Sequence, residues 1–124
     1  MKLRIRGDSV RLRLKKSEVD TIGAGQSDVE QTRFPGSVLT YRLDVTDDES
    51  LSAGFSQGEL AIRLPRAAAA NWAGSDEVSL FGDAGDLSIL VEKDFECLSP
   101  GHHRPDEDDE DTYPQPEAGT AKGC

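Results

Sequence analysis

The chain has 124 residues, 35% of them hydrophobic, and a formal net charge of -10, which allows one domain with a small core. The acidic total disfavours non-specific binding to nucleic acid or to an anionic membrane, and two cysteines cannot build a disulfide framework. The sequence holds neither a secretory apolar region nor a twenty-residue apolar run, so a cytoplasmic location without membrane contact is expected.

The apolar deficit is local. Residues 99–124 contain no Leu, Ile, Val or Phe and carry seven acids against two bases. They are expected to form a flexible acidic tail, because nothing in them offsets the entropy of ordering. Residues 1–98 are patterned throughout and are expected to fold as one globular domain. Their first sixteen positions run against the overall sign, with seven cations against Asp8.

Residues 2–6 and 9–14 alternate with period two around Gly7-Asp8, which predicts a hairpin with Leu3, Ile5, Val10, Leu12 and Leu14 on one face and cations on the other. Residues 15–22 read as a short helix. Ser17 and Asp20 resemble a capping box, Val19 and Ile22 share a face, and Gly23 and Gly25 stop the helix. Strands are expected over 27–33 and 37–45 around Pro35-Gly36, and residues 46–50 form a linker.

The order then repeats. Strands at 51–56 and 59–64 flank Gln57-Gly58. Pro65 suits a first helical position, Ala67 to Ala70 have high helix propensity, and Gly74 ends the helix. Strands at 77–81 and 87–95 close the unit around Gly82 to Gly85. A fifty-residue shift places Leu12 on Ile62, Val19 on Ala69 and Ile22 on Trp72. Losing one residue in each following loop places Val29 on Val78 and Tyr41 on Ile89. An internal repeat constrains the whole architecture. The expected fold is α+β and mostly β. Two strand-strand-helix-strand-strand units, 2–45 and 51–95, pack about a pseudo-twofold axis as a small, largely antiparallel barrel or sandwich. Trp72, Phe55, Tyr41 and Phe95 fall on the apolar parity of their elements and are expected in the core.

The run Glu59-Leu-Ala-Ile-Arg-Leu-Pro65 through Gly74-Ser-Asp-Glu-Val78 resembles AbrB-type swapped-hairpin DNA-binding units over about a quarter of the chain. The first repeat departs from that pattern, with Lys15 in the place of Pro and its acidic turn delayed to Asp28. The resemblance implies a strand-helix-strand unit more than DNA binding. The whole chain resembles a small bacterial family known only as a domain of unknown function. That likeness rests on Lys2-Leu-Arg-Ile-Arg-Gly7, on Val91-Glu-Lys-Asp-Phe-Glu-Cys-Leu98 and on the acidic, Pro-containing end, and it implies no activity.

Arg4, Arg6, Arg11 and Arg13, with Lys2 beside them, share the outer face of the first hairpin. Like charges opposite one another cost tenths of a kcal/mol up to about one, so compensation is expected. Glu92, Asp94 and Glu96 share one face of the last strand. If that strand neighbours the first hairpin, an exposed ion-pair network forms, and this reading is favoured. Anion binding by the four arginines is the functional alternative.

Cys97, His102 and His103 have the chemistry to hold Zn or Ni, although Cys-x4-His-His matches no established ligand spacing. Asp106 to Asp111 lack the spacing and Gly of a calcium loop and read as an interaction tail. The partner expected is another protein, reached through that tail, while nucleic acid is disfavoured and the oligomeric state is left open. No catalytic motif is present, and both histidines lie in the tail. The sequence therefore points to a small binding or protein-interaction module without catalysis. An anion- or phosphate-processing enzyme, or a DNA-binding regulator using the arginine ladder, is the alternative.

Overall fold

Alternation builds the first hairpin as its pattern implies. β1 (Lys2–Arg6) pairs antiparallel with β2 (Ser9–Leu14), setting Leu3 opposite Leu12 and Arg4 opposite Arg11. Helix α1 (Lys16–Gly23) follows, then β3 (Asp28–Phe34) and β4 (Ser37–Thr46). The second repeat supplies β5 (Ser52–Ser56), β6 (Glu59–Pro65), α2 (Arg66–Gly74), β7 (Ser79–Ala84) and β8 (Leu87–Lys93). This computed structural model describes residues 1–95 and Tyr113. Expectations placed on Glu96, Cys97, His102, His103 and the acidic run lie outside the described residues. The chain divides into Met1–Asp94 and Phe95–Cys124, and the fold is that of the first unit.

The two repeats exchange hairpins. One sheet has the order β1-β2-β8-β7 and the other β3-β4-β6-β5, so each takes one hairpin from each repeat. The central pairs, β2 with β8 and β4 with β6, are parallel, and the other pairs are antiparallel. Both sheets are mixed and neither closes into a barrel. Turn residues signal only the antiparallel hairpins. A parallel pair joins strands distant in sequence and has no local signature.

The duplication is exact enough to be read in individual bonds. Ser88 N donates to Asp8 O at 2.8 Å, and Thr40 N donates to Gly58 O at 2.9 Å in the equivalent place. Leu12 lies between Leu3 and Val91, as Ile62 lies between Ala53 and Leu43. Leu12, Ile22, Ile62 and Trp72 are all fully buried in one core that also takes Leu14, Leu43, Leu64 and Val91. Each such side chain contributes about 1.5–3 kcal/mol by leaving water. The Trp72 indole Nε1 donates to Val78 O at 3.1 Å, so its one polar group is satisfied inside the core. The two helices pack closely: a Cβ at Gly23 would lie 2.5 Å from Ala73 Cβ. Among the described residues no helix is long and apolar enough to cross a membrane.

Several local expectations need correction. Phe55 and Phe95 are exposed, at 67% and 54%. Phe55 keeps its inward parity but sits on an edge strand, and Phe95 follows the end of β8. Pro65 ends β6 and precedes α2 rather than opening it. Ser17 lies within α1, and it is Glu18 Oε1 that accepts the Lys15 N–H, at 2.9 Å. β7 starts at Ser79 and runs through Gly82 to Ala84. Val29 opposes Arg42 as Phe81 opposes Leu90, so Val29 corresponds to Phe81 rather than to Val78.

Candidate functional site

Because β8 lies beside β2, the cationic ladder and the carboxylates of the last strand share the outer face of the first sheet. Register places Arg4, Arg11, Leu90 and Phe81 in one row across its four strands, and Lys2, Arg13, Glu92 and Ser79 in the next. Arg13 Nε donates to Glu92 Oε1 at 3.1 Å, and Arg11 Nη1 stands 3.9 Å from the same oxygen. Lys2 Nζ donates to Asp94 Oδ2 at 3.4 Å. Pairing between the ladder and the last strand is thus present, but it is less exposed than the alternation implies. Glu92 is the one buried charged residue among the described residues, at 6%, and the Arg11 and Arg13 side chains are only 12% and 13% exposed. Their stems lie on the sheet surface, a common way for arginine to cover apolar area.

This face belongs to one sheet only. At the equivalent positions of the other sheet, Gly54 and Ala61 stand where Arg4 and Arg11 stand here, and Arg42 and Val29 where Leu90 and Phe81 stand. There Arg42 Nε donates to both oxygens of Asp44, at 3.1 and 3.0 Å, and Arg63 Nε donates to Ser52 Oγ at 2.9 Å. Phe81 is 81% exposed on its sheet face, with half-buried Leu90 beside it.

A second cluster escaped the sequence reading. The Met1 α-ammonium lies in a partly buried corner between Glu18 and Glu30, with Asp28 Oδ2 at 4.0 Å. Asp28 and Glu30 stand at alternate positions of β3, opposite Leu43 and Tyr41, and so face inward. Two acids spaced by two on the inward parity of a strand were the available signal. Burial works against the ammonium, but hydrogen bonds to Glu18 and Glu30 and their charges outweigh it and raise its pKa. Burial likewise opposes ionisation of Glu18, yet the ammonium and the Lys15 N–H hold its pKa below the ordinary value. Asp28 is raised, first by burial and then by the neighbouring charge of Glu18. The three carboxylates offer oxygens within 4.8 Å of one another, a hard-ligand set of the kind that divalent cations use. The chain's own ammonium lies among them.

The fold and these two clusters define an internally duplicated, hairpin-exchanged β-β-α-β-β protein with a cationic face on one sheet. A family model described as "Family of unknown function (DUF7009)" matches residues 1–117, and the chain belongs to that family. No curated protein and no solved structure matches it.

Proposed function

We propose that the protein is a small cytoplasmic interaction module without catalytic activity, and that its docking surface is the outer face of the first sheet. Its partner on this reading is a protein segment carrying acidic side chains around an apolar one. The observation that carries the proposal is Phe81, 81% exposed and in register with Leu90, Arg11 and Arg4. A large apolar side chain standing in water beside a held cationic row is a typical interface centre, with arginine and aromatic anchors together. Five cations (Lys2, Arg4, Arg6, Arg11, Arg13) share that face with Asp83, Glu92 and Asp94, a surplus that suits an acidic segment. The net charge of -10 opposes a polyanion as long as DNA.

Fluorescence anisotropy with a labelled peptide of alternating Glu and Leu tests this reading. Binding should weaken as salt rises and should vanish in Phe81→Asp. Because Phe81 is exposed, that substitution should leave the melting temperature unchanged, so loss of binding cannot be unfolding. Tighter binding of an oligonucleotide or inorganic polyphosphate than of the peptide would refute the proposal and favour the DNA or anion alternative.

A further inference from the structure

The edge strands of the two sheets are not equally protected. β1 carries Lys2, Arg4 and Arg6, β3 carries Asp28, Glu30 and Arg33, and β7 carries Asp83. Charges on an edge oppose the addition of another strand. β5 is the exception: Ser52-Ala-Gly-Phe-Ser56 holds no charged residue, and among the described residues it pairs with β6 alone. Its hairpin turns through Gln57 and Gly58, at φ 50° and 76°, a two-residue turn with both φ values positive. Ser56 and Glu59 flank that turn as a hydrogen-bonded pair, and so do Gly54 and Ala61 two positions on. Alternation then turns the N–H and C=O groups of Ala53 and Phe55 away from β6, toward the open edge.

A cation stands over this edge. Arg63 corresponds to Arg13 of the first repeat, and its cross-strand neighbour Asp44 corresponds to Glu92. Arg13 bonds Glu92, but Asp44 takes Arg42 Nε on both oxygens and accepts from Ser27 Oγ at 2.6 Å. Arg63 turns instead to Ser52 Oγ through Nε, and its outer nitrogens lie over Gly54, 3.4 and 3.7 Å from where a Cβ would sit. Among the described residues Arg63 forms no ion pair. With no side chain at position 54, the guanidinium reaches across β5 toward the open edge.

We propose that the β5 edge accepts an extended segment of another protein as a further strand, and that a single Asp or Glu of that segment, beside Gly54, is received by Arg63. Main-chain bonds to Ala53 and Phe55 supply affinity, and alternate side chains supply selectivity. Residues on either side of the acid point to the opposite face, where Ala53 and the exposed Phe55 ring favour apolar side chains. An acid beside Ser56 would face Glu59 across that strand, so one acid fits and an acid at every second position does not. A second copy of β5 fits no better. Antiparallel pairing centred on Gly54 would bring two Arg63 guanidinium groups together, and like charges so placed repel.

The test is fluorescence anisotropy of a labelled, end-blocked Thr-Val-Glu-Val-Thr peptide titrated with the full chain. The wild type should bind it about tenfold more tightly than the same peptide centred on Gln, as a charge-assisted hydrogen bond implies, and Arg63→Gln should remove the difference. Equal binding of the two peptides by the wild type overturns the proposal. Only one row of amides in an added strand faces the sheet. Methylating either the Glu nitrogen or both Val nitrogens should therefore abolish binding in one case and spare it in the other. Equal binding of the two methylated peptides overturns strand addition, leaving Arg63 as a site for a carboxylate alone. These comparisons use the unaltered chain, so they decide even if Arg63→Gln fails to fold. Loss of this peptide in Phe81→Asp would assign the binding to the first sheet and overturn the proposal. So would self-association in sedimentation velocity that the peptide dissolves, because a second copy would then be the occupant.

Discussion

Replacing Glu92 by Gln should destabilise the fold by about 3 kcal/mol. Glu92 is nearly buried, and two guanidinium groups reach one of its oxygens, at 3.1 and 3.9 Å. Near a protein surface one such contact is worth about 4 kcal/mol of attraction at an effective dielectric constant of about 20. The cost of drying the carboxylate removes much of that gain. Gln keeps the oxygen but removes the negative charge that both guanidinium groups face. Removing one member of a buried ion pair costs about 3–5 kcal/mol, and the slight exposure of Arg11 and Arg13 lets water return and favours the lower end. Urea denaturation at low and high salt measures it. The loss should persist at high salt, because screening acts weakly on a partly buried pair. Arg11→Met added to Glu92→Gln should recover part of the loss by removing one of the two like charges, a coupling visible in the double-mutant cycle. A loss under about 1 kcal/mol that disappears in salt would mean that the cluster behaves as an ordinary exposed pair, and the argument from burial would fail.

Trp72→Ala should cost about 3–5 kcal/mol in the same assay, because the ring is fully buried and leaves a cavity. Trp72→Phe should cost less but should leave Val78 O without its indole donor. Gly23→Ala should cost about 1–3 kcal/mol by overpacking the helix contact; an unchanged melt would show that the helices can separate freely. The ionic corner sets a pH dependence at both ends. The ammonium is raised in the folded state, so its contribution is complete below its ordinary value of 8.0 and is lost as pH climbs through the higher folded value. Glu18 is depressed, so its contribution is present above its ordinary value of 4.5 and is lost as pH falls through the lower folded value. Asp28 is raised and opposes the acid limb, since acid relieves its repulsion. Urea midpoints across the range should therefore show a fall above pH 8 that Glu30→Gln flattens, and a flat wild-type profile there would contradict the assignment.

What the sequence disclosed follows from the range of each force. Period-two alternation, Gly-containing turns and the Val19/Ile22 and Ala69/Trp72 spacing are local, so all eight strands and both helices were legible, and with them the repeat. Pairing between hairpins is non-local. The parity of Glu92 showed that it could meet Arg13, but only the parallel β2-β8 register shows that it does so out of water. Phe55 shows the same limit from the apolar side. Parity assigns a side chain to a face, while exposure depends on whether another layer covers that face. The gap between α2 and β7 was harder still. Without a turn signal to fix it, Val29 fell on Val78, and that slip hid the replacement of Leu80 and Gly82 by Asp28 and Glu30.

Once register is corrected, the differences between the repeats become informative. A duplicated fold has two copies of each environment, and where one copy is apolar the scaffold does not itself demand charge at the other. Ala61 and Gly54 show that the outer sheet positions can be held by small side chains, yet their counterparts are Arg11 and Arg4. Leu51, Leu80 and Gly82 show that the inner corner can close without ions, yet its counterpart holds Met1, Asp28 and Glu30. Charge in semi-buried positions costs desolvation that the apolar copy avoids. Stability alone therefore explains the second repeat better than the first. The first repeat's charges face two directions, the ladder outward beside Phe81 and the acids inward around an amine. A partner bound on the outer face would meet Arg11 and Arg13 already held by Glu92, so little side-chain entropy would remain to be lost on binding. Glu92→Gln, which weakens the hold on those two side chains, should therefore weaken peptide binding even where the fold survives, whereas Glu30→Gln, in the other sheet, should leave binding unchanged.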